Sequence, residues 1–586
     1  MIKLFIVTLA IVLSGISMPS LGVLPKQQSE LKIDEAEKEG SQLNIDSFFE
    51  GNSVTDDQSL LFNVEEKCLI KHSRGIYSAT FSNDSLHLVT ASRDSTAKIY
   101  GQDSTGEWAL KTIINHDSGW IKSAIFSADD SHVITLSDKQ TAKIYGQDSN
   151  GEWTEKAIIQ YPAGYAHSAT FSADSHHAML ISTTNTNSTV QIHGQDSNGK
   201  WTQRAVINND YLWVTAIFSP DSRNVLITDH KGARCAQTVT IYGRNLNGDW
   251  GQRAIIHNDR DWVTAIFSPD SRNVLITDNN KAAQIYEQDS SGDTWTKTAI
   301  IGPDKIALLS SFSADGRHVA ITHQDRSIGI YGQDLNGQWP QKILINNDEA
   351  DKGVYPIGTR TIFSNDGHFV MIICDGEKAV KICGQSSSGE WTEKATIQHQ
   401  DRILSMTFSS DSGHVLTSSN TGAVQIYSKM ANDEWIEKAT IQYSNNPPLF
   451  GCNTVSATLS ADNRHMLTFD LAHPRIKIYR WTPDEEWIES FIIHLAANTF
   501  IRGGTFSADG SHVIIVTNDI VKIYGINSTD DTWYEKASIE HIGVIKASMS
   551  ANGGHIVTVN SDHSIAKIWR LSLEKNIPSP FLPVKK

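Results

Sequence analysis

The chain has 586 residues, with 50 Lys and Arg against 66 Asp and Glu, for a net charge of −16. No block of basic residues interrupts the acidic excess, which excludes the positive stripe a nucleic-acid groove needs. Five cysteines, an odd number, exclude a fully paired disulfide framework within the chain.

Lys3, the apolar run Leu4 to Ile16 and the small-x-small triplet Ser20-Leu21-Gly22 predict an export signal over residues 1–22, cleaved near Gly22. The run is too short to span a bilayer comfortably, and no other is long enough, so the mature chain is expected to be periplasmic or extracellular with no membrane span. Residues 23–64 are charged in part and have no steady period, which reads as a linker or loosely ordered lead-in.

From about residue 65 to 570 one unit recurs. In its clearest copy, Trp391 to Tyr427, four short runs (WTEKATIQ, ILSMTFS, HVLTSS, AVQIY) are rich in β-branched residues and bounded by Gly, Asn, Asp or Ser. Each predicts a strand, joined to the next by a tight turn. A marker before Ser in the second run falls at Phe81, Phe126, Phe171, Phe218, Phe267, Phe312, Phe363, Phe408, Leu459, Phe506 and Met549, giving eleven copies spaced 43 to 51 residues apart. Four strands at that period predict an all-β β-propeller of about eleven blades. Ala, Gly, Ser or Thr stands two residues before ten of the markers, as a tapering inner strand requires. The spacing allows one large ring or two smaller ones. Two are preferred here, with 346–359 or 444–453 as the boundary. Lys67 to His72 matches a fourth strand, whereas the last copy, Val544 to Trp569, has only three. The N-terminal strand is therefore expected to close the ring, leaving 571–586 as a tail.

The repeats resemble the WD-repeat family. His72 and His399 stand nine residues before Phe81 and Phe408, Asp94 and Asp325 six before Tyr100 and Tyr331, and FSPD follows at Phe218 and Phe267. The pattern is degenerate: the family's Trp-Asp pair is Tyr-Gly in most copies, and only Trp569 keeps the Trp. The resemblance implies a propeller that binds proteins and carries out no covalent chemistry.

The motifs suggest little chemistry. The Asp-Ser-Asn-Gly-Glu turns offer one or two carboxylates each, too few for Ca²⁺. Ser104-Thr105-Gly106-Glu107-Trp108 is similar to the quinoprotein repeat, but its Trp comes two residues early. A histidine six residues after most markers (His87, His132, His177) is expected to satisfy its own turn. Ten Trp that open fourth strands are expected to pack between blades. No metal or cofactor is expected. The preferred function is an exported, non-catalytic scaffold for a protein partner. A quinoprotein-type dehydrogenase and a glycan-binding propeller are the alternatives.

A partner site is expected where aromatics enter four successive blades: Trp120, Tyr165, Trp213 and Trp262, with Asp117, Asp210 and Asp259 as a polar rim that favours a partner with some positive charge. N-terminal sequencing of exported protein should begin near Val23. A sequence starting at Met1 would contradict the signal.

Overall fold

The computed structural model describes residues 62–573, except 163, 211–212, 231–236, 246–247, 259–262, 279–280, 347–360, 375–377, 444–454, 471–472, 497–498, 528–530 and 561–563. Every regular element among them is a strand, and the strands form eleven four-stranded antiparallel sheets. Blade 1 is Ile76–Phe81, His87–Ser92, Thr96–Gln102 and Trp108–Asn115. Blades 2 to 10 repeat this up-and-down order, ending with Trp533–Glu540. Blade 11 is built from Val544–Met549, His555–Asn560, Ile565–Leu573 and the N-terminal Phe62–Lys71.

The closing strand pairs as expected. Cys68 lies opposite Ile568, Ile70 opposite Ala566 and Lys71 opposite Ile565, and the pairing runs on to Phe62 and Leu573. Lys567 Nζ lies 2.7 Å from Glu66 Oε2 across the same pair of strands. Cys68 is a free thiol.

Second strands are sandwiched between neighbouring blades, so both of their faces are buried and small polar residues in them are buried along with the apolar ones. His414–Ser419 and Asn273–Asp278 are buried at every position. The core is accordingly divided into eleven clusters, one at each seam. Ile328 and Ile330 of blade 6 meet Val370 and Ile372 of blade 7. Leu416 and Ile426 of blade 8 meet Val455 and Met466 of blade 9. Ile70 and Ile568 of blade 11 meet Ile76 and Leu88 of blade 1. The circuit has no break, so the propeller is one ring of eleven blades and the preferred two-ring arrangement is corrected. The proposed boundary stretches lie almost wholly outside the described residues, but the seams on either side of them are continuous.

The same repeat supplies two further kinds of tie, each at a subset of the seams. The ten fourth-strand Trp are 3 to 8% exposed. Trp153 meets Phe126 of its own blade edge-on at 6.0 Å and His87 of the preceding blade at 5.6 Å. The Gln147 amide then reaches His87 Nε2 at 2.9 Å, as Gln102 reaches His555 at 2.8 Å and Gln195 reaches His132 at 2.8 Å. These rings therefore bridge to the next blade. Some of them also serve their own turns as expected, since His132 Nδ1 lies 2.6 Å from Ser131 Oγ and His512 Nδ1 2.6 Å from Ser511 Oγ, while the marker-adjacent serine ties the turn's backbone, as when Ser82 Oγ accepts from His87 N at 2.9 Å.

The second tie lies in the turn between first and second strands. Its fourth residue has positive φ in all eleven blades, yet it is glycine in only four, at 316, 367, 510 and 553. In the other seven the side chain compensates for the left-handed strain. Ser175 Oγ accepts Asp129 N–H of the preceding blade at 3.1 Å, Ser222 accepts Asp174 N–H at 3.0 Å, and Ser85 closes the circle by accepting Asn552 N–H at 3.1 Å.

Gly504, on the innermost strand of blade 10, shows why small residues gather there. An added Cβ would lie 3.0 Å from Ile515 Cδ1 and 3.1 Å from Leu467 Cδ2 of blade 9.

Deleting residues 65–72 should lower the melting temperature by several degrees; unchanged melting would contradict closure by this strand. Acid should also weaken the seams. Burial holds His87, His132 and His465 below the ordinary histidine range and His555 down at about 4. A histidine kept neutral in the fold but free to protonate when unfolded stabilises fully above its unfolded pKa of about 6.5. That stability is lost as pH falls toward about 4. Melting temperature should therefore fall between pH 7 and pH 4, before Asp94, held at about 2, begins to protonate. A flat profile over that window would contradict the assignment.

Candidate interaction face

First strands begin, and second strands end, on one face of the ring. The loops entering each blade and the turns between second and third strands therefore share that face. In blade 1 the Arg93 N–H bonds Gly75 O at 2.8 Å, and in blade 2 Asp138 N–H bonds Trp120 O at 2.9 Å.

The sequence-predicted residues fall on this face where they are described. Trp120 is 42% exposed and Tyr165 64%. Asp117 and Asp210 are exposed in the loops entering blades 2 and 4. Trp213 opens the first strand of blade 4, with its backbone opposite His230. Trp262 and Asp259 lie outside the described residues. Asp210 also lines a cleft of about 240 Å³ between blades 3 and 4. There Asn209 and Ile227 stand where the seams before blades 1 and 2 carry the pairs His72–Thr90 and His116–Thr135.

Three residues on this face were missed from the sequence. Tyr77 and Trp120 rings lie 6.4 Å apart at 46°, and the Arg93 guanidinium sits 4.8 Å from the Tyr77 centroid and 5.1 Å from that of Trp120. Lys122 Nζ lies 5.8 Å from the Tyr165 ring centroid. Tyr77 and Lys122 are bulge residues. The ladder of blade 1 skips from Ile76 to Ser78, and that of blade 2 from Ile121 to Ser123. A bulge re-aims the side chain of its extra residue, and that signal is invisible until strand register is known. Leu308, Leu404 and Ile545 occupy the bulges of blades 6, 8 and 11, so ring-plus-cation chemistry marks the blades around Trp120.

Beneath these side chains lies a buried network. His72 Nδ1 lies 3.0 Å from Asp94 Oδ2 and its Nε2 2.9 Å from Thr90 Oγ1, while Ser73 N–H donates to Asp94 at 2.9 Å. Burial opposes ionisation of Asp94, but the hydrogen bonds from Thr96 and Ser73 and the nearby His72 outweigh it and hold the carboxyl at about 2. Asp94 is therefore charged but turned inward. His399 Nε2 similarly meets Thr417 Oγ1 at 2.8 Å.

The turns that suggested metal chemistry are self-contained. Asp148 Oδ1 accepts the N–H groups of Asn150 and Glu152 at 2.8 and 3.0 Å. Asp103 does the same for Thr105 and Glu107. Gly151 alone takes positive φ there, at 80°, so the Asn-Gly pair does not form the hairpin turn in which both residues do. Among the described residues no three His, Cys, Asp or Glu side chains converge as a metal site would require. No helix among them is long and apolar enough to cross a membrane.

Residues 64–101 and 391–428 match the family described as WD domain, G-beta repeat. Each match takes the fourth strand of one blade with the first three of the next, and each contains a buried histidine, His72 or His399, bonded to a second-strand threonine. The chain is thus a β-propeller in which two four-strand stretches match the WD repeat. No curated protein matches it in sequence.

Among solved structures, a putative 6-phosphogluconolactonase from Bacteroides uniformis ATCC 8492 aligns at 15% identity and TM-score 0.31, covering 52% of this chain and 92% of that one. A eukaryotic initiation factor aligns at 14% identity and TM-score 0.39, covering 64% and 92%. The C-terminal WD40 domain of Sif2 aligns at 11% identity and TM-score 0.34, covering 87% and 98%. At these scores the likenesses carry no argument about activity.

Proposed function

We propose that this protein is an exported, non-catalytic propeller that presents its blade-entry face to a protein partner. The observation that carries this reading is the exposure of Trp120 and Tyr165 in successive blades of a scaffold whose fourth-strand Trp are buried. Large rings in fixed positions give contact area at low entropic cost, which is why aromatics dominate binding hot spots. Export rests on the charged, apolar and small-residue segments of the first 22 residues. Binding without covalent chemistry is supported by the way polar side chains follow the repeat, since an active site would be expected to occur once.

The test changes Trp120, Trp213 and Trp262 to Ala together and compares recovery of partners from the native surroundings by affinity capture and mass spectrometry. Partner affinity should fall roughly tenfold or more, about 1.4 kcal/mol, with melting little changed. Intact affinity with lost stability would show these residues to be structural.

A further inference from the structure

Arg93 is unusual among the charged residues on this face. Its guanidinium rests against two rings, Tyr77 and Trp120, yet among the described residues it makes no side-chain hydrogen bond and no ion pair. Cation–π contact holds a guanidinium plane in place while leaving its N–H edges available. A planar fork held this way suits a carboxylate, which can accept two parallel N–H bonds. Lys122 repeats the arrangement one blade along, over Tyr165, and likewise has no ion partner among the described residues.

The carboxylates nearby do not compensate. Asp94 is engaged by His72, Thr96 and Ser73, and Asp138 accepts the Trp120 N–H at 2.6 Å. Asp117 alone is exposed in the adjoining loop. Two cations on aromatic supports therefore stand out from a chain of net charge −16.

We infer that blades 1 to 3 form a seat for an acidic peptide segment of the partner, with its carboxylates on Arg93 and Lys122 and its apolar parts on Trp120 and Tyr165. This rests on the platform reading and, at these blades, replaces the positively charged partner expected from the acidic rim with an acidic one. An acidic peptide is favoured over a dense polyanion such as nucleic acid or sulfated glycan. The negative field of the whole ring repels closely spaced charge, whereas a few carboxylates need only the local pair.

The test uses the full chain, its R93E/K122E variant and a labelled short oligoglutamate peptide, with oligolysine and heparin as comparisons, followed by fluorescence anisotropy at low salt. Oligoglutamate should bind saturably and the double variant should weaken it roughly tenfold or more, with melting unchanged. R93K should restore only part of the affinity, because an ammonium lacks the fork. Absence of oligoglutamate binding, or equal binding to the variant, would overturn the inference. So would heparin binding that depends on Arg93 while oligoglutamate does not bind. A captured partner lost on changing the three Trp but indifferent to R93E/K122E would overturn the acidic assignment and leave the platform reading standing. A partner indifferent to both sets of changes would sink both.

Discussion

Everything in this molecule depends on the seam between consecutive blades. A four-stranded sheet buried on both faces cannot exist alone, because each face needs another sheet to cover it. Every blade therefore borrows half its core from each neighbour, and the arrangement is stable only if the sequence of neighbours never ends. The N-terminal strand meets that condition. Ile70 lies in the cluster that also holds Ile76 and Leu88, so the first strand of the chain completes the last blade and buries the first blade's outer face.

The polar ties follow the same logic. The turn between first and second strands requires a left-handed residue, and glycine would relieve the strain most simply. Where a serine, aspartate or asparagine stands instead, its side chain accepts a backbone N–H from the preceding blade, as Asp130 Oδ2 does for Asp84 N at 2.7 Å. No such bond occurs at the four glycine turns. Local strain is thus retained where it carries contact between blades. A ring held at its seams leaves the entry loops free to vary without disturbing the core, and Trp120, Tyr165, Tyr77 and Arg93 occur in that variable layer.

Much of the fold was legible in the sequence because the repeat itself is the structural unit. The Phe81 marker, the Trp that open fourth strands and the strand around Cys68 each have one physical role and occupy the places expected of them. Ring number was not legible: a period near 45 residues describes a blade but says nothing about how far each blade turns from the last. The glutamine partners of the histidines at 87, 132 and 555 were not legible, because they lie about 60 residues away along the chain, or on the far side of the closure. Trp120 and Tyr165 could be found from their spacing to the marker. Arg93 could not, because it reaches them from a turn in blade 1 past a bulge that only the register of Ile76 and Ser78 reveals.

Imaging single particles of the purified protein down the ring axis tests the central claim most directly. An unbroken circuit of seams predicts one closed ring with eleven radial densities and no gap where the termini meet. Two smaller rings, or an open arc with a gap beside blade 11, would contradict it.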